Sequence, residues 1–98
     1  MKKYIIILFV FFNFFIFSKE NNNNKIIISD DLELIILQNR RFIHVSYINL
    51  PGYGRTSANG LLIIDKDSAI ILDTPWTNAQ TIKLFNWVKK IIILISNI

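Results

Sequence analysis

The stretch NGLLIIDKDSAIILDTPWTNAQ, residues 59–80, constrains the fold of this chain more than any other. Two apolar runs, residues 61–64 and 69–72, flank the polar turn Asp65-Lys66-Asp67-Ser68, the pattern of a β-hairpin. The second run ends on Asp73-Thr74-Pro75. Proline has no N–H and pushes the residue before it away from helix, so the strand stops there. Thr77 and Gln80 then stand at the spacing of a capping box, in which each side chain satisfies the other's backbone N–H. Thr81, Leu84, Phe85, Val88 and Ile91 recur at helical spacing, with Lys83, Asn86 and Lys90 opposite. Lys89 and Lys90 suit the negative end of the dipole of a helix over residues 77–90. A hairpin that delivers one carboxylate, Asp73, to a sheet end and then enters a capped helix points to an α+β fold.

Upstream, KIIIS and LELIIL around Asp30-Asp31 read as two strands joined by a turn. RFIHVSYI alternates, with Ile43, Val45 and Tyr47 on one face and Phe42, His44 and Ser46 on the other, as a half-buried strand does. NLPGYGRTSANG holds all three glycines and one of the two prolines and reads as a mobile loop, with Tyr53 at its tip between Gly52 and Gly54. Asn59 is expected to satisfy backbone groups at the end of this loop. Beyond Lys90, the β-branched IIILISNI reads as a buried strand. No internal repeat is present.

The amino terminus is of another kind. Met1-Lys2-Lys3 is a positive start, and residues 4–17 form an apolar run broken only by Asn13. Fourteen residues suit a signal peptide and fall short of the roughly 20 needed to span a bilayer. Ser18 is small enough for the cleavage point, with an uncleaved anchor as the alternative. SKENNNNK follows as a polar spacer that has no apolar surface to bury. The expected organisation is a signal peptide over 1–18, a flexible spacer over 19–25 and one small domain over 26–98, exported to the periplasm or secreted. Membrane contact is expected only through the signal peptide during export.

Charge and residue inventory exclude several classes. The net charge is +4, but from Lys19 onward nine Lys and Arg face seven Asp and Glu, so no basic surface for nucleic acid is expected. With no cysteine there is neither a disulfide framework nor a thiolate metal site. The single histidine, His44, has no identifiable partner to set its proton or share a metal, and reads as structural.

ISDDLELIIL, IHVSYINLPGYGRTSANGLLIID and AIILDTPWTNAQTIKLFNWVKK together resemble the amino-terminal part of the zinc-dependent β-lactamases of subclass B1. The glycine-flanked aromatic loop, S-A-N-G before a strand and L-D-T-P-W-T before a helix carry the resemblance jointly, over about residues 28–90. It implies the first part of a four-layer αββα sandwich, mostly antiparallel sheet plus one helix. It also implies a substrate flap at Gly52, Tyr53 and Gly54, closing over β-lactam antibiotics, and an outer supporting role for Asp73 beneath a zinc site. A turn aromatic resting on a neighbouring strand, and an Asp that caps the turn before Pro75, are the plain alternatives for Tyr53 and Asp73. Trp76 and Trp87 read as packing residues.

The family binds zinc through His-x-His-x-Asp after the strand that follows this helix, and then through a later His, Cys and His. IIILISNI stands in that place and carries none of them. No catalytic or metal-ligating residue is therefore expected in this chain. It reads as an inactive amino-terminal fragment that takes up no zinc, with an exposed sheet face and edges prone to aggregation. A shift of reading frame near residues 89–92 would account for the abrupt change. A small exported β-rich binding protein using the Tyr53 loop and a membrane-associated hydrophobic peptide are the readings from other classes.

Overall fold

The computed structural model describes residues 4–8 and 24–96. Strands β2 (Lys25–Ser29), β3 (Leu32–Gln38), β4 (Arg41–Leu50), β5 (Gly54–Asp65) and β6 (Ser68–Leu72) form a continuous antiparallel sheet, followed by helix α1 (Asn78–Ser96). Strand β1 (Tyr4–Leu8) adds to the free edge of β6 in parallel, from Tyr4 opposite Ser68 to Leu8 opposite Leu72. The order across the sheet is β1-β6-β5-β4-β3-β2. Tyr4–Leu8 belongs to the span expected as a signal peptide; the remainder of that span and its cleavage point lie outside the described residues. Lys25, expected as the last spacer residue, already pairs with Ile35.

The helix lies on one face of the sheet. Gln80, Leu84, Val88 and Ile92, four apart, are buried along one stripe, and the three apolar ones join Leu32, Leu34, Phe42, Leu62, Ile64, Ala69 and Ile71 in one core. Trp87 meets Phe42 edge-on, with ring centroids 5.7 Å apart, and so packs as expected. Trp76 does not: it is 41 % exposed. On the other face, Ile35, Ile43, Leu61 and Leu72 make one row across β3, β4, β5 and β6, with Val45 and Ile63 in adjoining rows. Apart from buried Val45 these are half-buried, and no helix covers them among the described residues.

Three expectations about the backbone are corrected. The residues after Lys90 are helix, not strand. Nothing between Lys89 and Ser96 is a glycine or proline that would end a helix, and Ile92 continues the four-residue stripe into the core. Burial of one face thus outweighs the weak helix propensity of isoleucine. At 19 residues, α1 is still not long and apolar enough to cross a membrane. The glycine-rich segment is likewise not a 12-residue loop. Arg41–Leu50 and Gly54–Asp65 pair continuously up to Leu50 opposite Gly54, leaving only Pro51, Gly52 and Tyr53 as a turn. Asn59 lies mid-strand opposite Val45, exposed, and not at a loop end.

Candidate functional site

The turn at the tip of β4 and β5 is set by its sequence. Tyr53 N–H donates to the Leu50 carbonyl at 2.9 Å, and Pro51 precedes Gly52 at φ +85°, the geometry of a type II turn. Gly54 also takes a positive φ, +79°, so the two glycines that flank Tyr53 are there for their backbone. Tyr53 itself is 83 % exposed. β3 pairs with β4 only as far as Ser46, and β6 with β5 only as far as Leu61. Past those residues the hairpin continues as a two-stranded ribbon. It is tied to the β2–β3 end both at Tyr47 and, beside the turn, at Arg55. The Arg55 guanidinium lies 4.1 Å from the centroid of the Tyr47 ring and donates to the Asp30 carbonyl, while Tyr47 Oη donates to Glu33 at 3.0 Å.

Strand β6 runs toward the same end of the sheet and delivers Asp73 there, half-buried and in a left-handed conformation, φ +59°. Aspartate tolerates this region better than most residues, at a cost of roughly 1 kcal/mol. Asp73 and the ribbon thus share one end of the sheet. Tyr53 and Asp73 are not brought together: Gly54, next to Tyr53, lies six strand residues from Gly60, roughly 20 Å along β5.

The connection from Asp73 to the helix is held by buried polar side chains from β4. His44 and Ser46 are both fully buried on the helix-covered face. His44 Nε2 lies 2.7 Å from the Asp73 carbonyl and 3.3 Å from that of Leu72. Carbonyl oxygens only accept, so Nε2 carries the proton and Nδ1 is bare; Nδ1 is buried without a hydrogen-bond partner. Ser46 Oγ accepts from Trp76 N–H at 3.1 Å. The capping box forms as expected, with Thr77 N–H donating to Gln80 Oε1 and Gln80 N–H to Thr77 Oγ, both at 3.1 Å. Gln80 does more than cap. Its Nε2 donates to the Tyr47 carbonyl at 2.8 Å and reaches both the carbonyl and carboxylate of Asp31, tying the helix start to the β2–β3 turn. The hydrogen bond from Ser29, with those from Gln80 and Lys83, holds the Asp31 carboxyl below its ordinary range against some desolvation. The Lys83–Asp31 ion pair, at 3.5 Å between exposed groups, adds little.

Burial lowers the His44 pKa, outweighing the two carbonyl bonds and the Asp73 charge, which act the other way. In the folded chain His44 is neutral at a pH where an unfolded histidine, with its ordinary value of 6.5, has begun to charge. The unfolded state then binds more protons, so stability falls as pH drops below 6.5 toward the folded value. Urea midpoints should decline over this interval, and His44→Gln should flatten the decline. A midpoint that is level or rises there would contradict the assignment of His44 as buried and neutral.

The sequence reading of His44 as structural holds, but its partners and those of Ser46 went unnoticed. The available signal was a pair of polar residues two apart on the same face as Phe42. This is the face that packs on the helix, so each needed a buried partner.

The chain is 38 % identical over 60 residues to a metallo-β-lactamase type 2 of Bacteroides fragilis, covering 61 % of this chain and 24 % of the relative. Its fold superposes on a crystal structure of an NDM_FIM-1 like metallo-β-lactamase from Erythrobacter litoralis, in a mono-zinc form, with a TM-score of 0.62. The fold is that of part of a metallo-β-lactamase. The Erythrobacter match is 31 % identical and covers 69 % of this chain and 32 % of that one. The metallo-β-lactamase TMB-1 superposes with a TM-score of 0.59 at 39 % identity, covering 63 % and 28 %. A Pseudomonas aeruginosa metallo-β-lactamase type 2 is 35 % identical over 57 residues, 58 % of this chain and 23 % of the relative. No protein-family profile matches. The chain therefore spans about a quarter of the length of its curated metallo-β-lactamase relatives.

The described residues do not fit a zinc site. Nowhere among them do three or more His, Cys, Asp or Glu side chains gather to hold a metal. His44 uses its protonated nitrogen on carbonyls, and its bare one is enclosed in the core.

Proposed function

We propose that this sequence belongs to a zinc-dependent β-lactamase that opens the ring of β-lactam antibiotics, contributing the substrate-side ribbon and the Asp73 turn of the site. One observation carries this reading. The ribbon with exposed Tyr53 at its tip and the strand end bearing Asp73 occur at the same end of one sheet, in a fold matched by metallo-β-lactamases. A large exposed aromatic at the turn of a two-stranded ribbon offers an apolar surface to a bound lactam. Asp73 stands below that space as an outer support for the loops that would present metal ligands.

Zinc in such an enzyme supplies a hydroxide at neutral pH and needs about three protein ligands besides water. Those ligands have to come from residues other than the ones described here. The leader over residues 1–18 would direct export to the periplasm or the exterior. Its removal takes β1 with it and leaves the antiparallel sheet of β2 to β6, with β6 at its edge.

The 98-residue chain taken alone is expected neither to bind zinc tightly nor to hydrolyse a chromogenic cephalosporin faster than free zinc does. Zinc titration by calorimetry and a cephalosporin assay with and without chelator check this. Turnover that zinc restores and a chelator abolishes would show that the donors have been misassigned.

A further inference from the structure

Asp73 is a non-glycine residue in a left-handed conformation, immediately after a strand and directly before the Thr74-Pro75 pair. Its peptide has to be held there by something. The groups that reach this connection from the sheet are His44 and Ser46, neighbours on one face of β4 and both fully buried. His44 grips the carbonyl of Asp73, and more loosely that of Leu72, while Ser46 grips the N–H of Trp76 three residues on. Gly60, opposite His44 on β5, leaves the space in which the imidazole lies, since a Cβ there would collide with the ring and with the Leu72 carbonyl.

We propose that His44 and Ser46 form a two-point clamp on the β6–α1 connection, with His44 as the positioning residue that fixes the backbone of Asp73 and hence the direction in which its carboxylate leaves the sheet. The clamp requires a specific chemistry at each point. The first point needs an N–H donor at the position of Nε2, because its partners are carbonyls. The second needs an acceptor, because its partner is an amide. A histidine and a serine two residues apart on a strand supply these in register with a connection that crosses above them. Leucine at position 44 would occupy similar space but donate nothing. Glutamine, whose terminal amide nitrogen extends about as far as Nε2, would restore the donor. The importance of the clamp for hydrolysis rests on the reading of Asp73 given above; its existence does not.

The test uses the full 98-residue chain and nuclear magnetic resonance. In the wild-type chain the His44 ring should carry its proton on Nε2, with a scalar coupling across the hydrogen bond to the Asp73 carbonyl carbon. The Trp76 amide should exchange about tenfold faster in Ser46→Ala and in His44→Leu, the loss of one buried hydrogen bond, and stay within about twofold of wild type in His44→Gln. A ring protonated on Nδ1 would overturn the proposal. So would a His44→Leu chain in which Trp76 exchange and the Asp73 shifts match wild type, since His44 would then be filling space only. The wild-type tautomer decides the point even where a variant fails to fold. None of these readouts depends on zinc or lactam turnover, so failure of the clamp is distinguishable from failure of the functional reading.

Discussion

Gly60→Ala should destabilise the folded chain by roughly 3 kcal/mol, near the upper end for overpacking one methyl group into a close-packed interior. The added Cβ would strike Nε2 and Cε1 of His44 on one side and the carbonyl oxygen of Leu72 on the other. A flexible side chain could swing away from such a contact. Here one obstacle is backbone of the adjacent strand, and the other is a ring held by that same backbone. Relief would require either β5 and β6 to separate at Leu61–Leu72 or His44 to leave its carbonyl partners. The first breaks the sheet beneath the helix. The second strands a polar ring and two carbonyls in the core, each a desolvation cost of about 1–3 kcal/mol. Urea denaturation followed by circular dichroism should show the midpoint fall with little change in slope. A midpoint within error of wild type would mean that the space beside His44 is larger than its contacts indicate.

Much of this architecture was legible from the chain, and the misses share a cause. The two hairpins, the Asp-Thr-Pro stop and the capping box are written in local chemistry, and they stand where they were expected. The tail and the glycine-rich segment were misread because tertiary context overrode composition. Ile91 to Ile95 look like strand by residue type, yet Ile92 falls on the stripe already buried by Leu84 and Val88, and this extends the helix. Thr56 to Asn59 look like loop beside so many turn residues, yet β4 offers them a strand to pair with. At the site, Tyr53 and Asp73 were identified through the resemblance, whereas His44, Ser46 and the tertiary bonds of Gln80 were not. Their partners are backbone atoms of residues about 30 or more positions away, which no local pattern announces.

The buried polar row also explains why a sheet with a helix on only one face, among the described residues, holds a defined connection at its end. His44 and Ser46 bind main-chain groups of the Asp73–Trp76 connection, and Gln80 binds those of Asp31 and Tyr47, so the connection is held from β4 and the helix start that follows it is held to the same strand. The half-buried face with Ile43, Leu61 and Ile63 does not take part in this fixation. In the proposed enzyme it is the face left for the remaining layers of an αββα sandwich to cover. Burial there would add stability without rearranging the site end.

The central claim is that these residues are the substrate-side and supporting part of a zinc β-lactamase. It is tested most directly by placing residues 25–90 in the Bacteroides fragilis metallo-β-lactamase in place of the matching segment, to which this chain is 38 % identical over 60 residues. The folded chimera should bind zinc and hydrolyse a chromogenic cephalosporin, with the activity lost to a chelator and restored by zinc. Asp73→Asn in that chimera should lower metal affinity or turnover by about 10- to 100-fold, as loss of an outer support for metal ligands does. A chimera that folds and holds zinc yet leaves the lactam intact, or one whose Asp73→Asn variant binds zinc and turns over as before, would contradict the account.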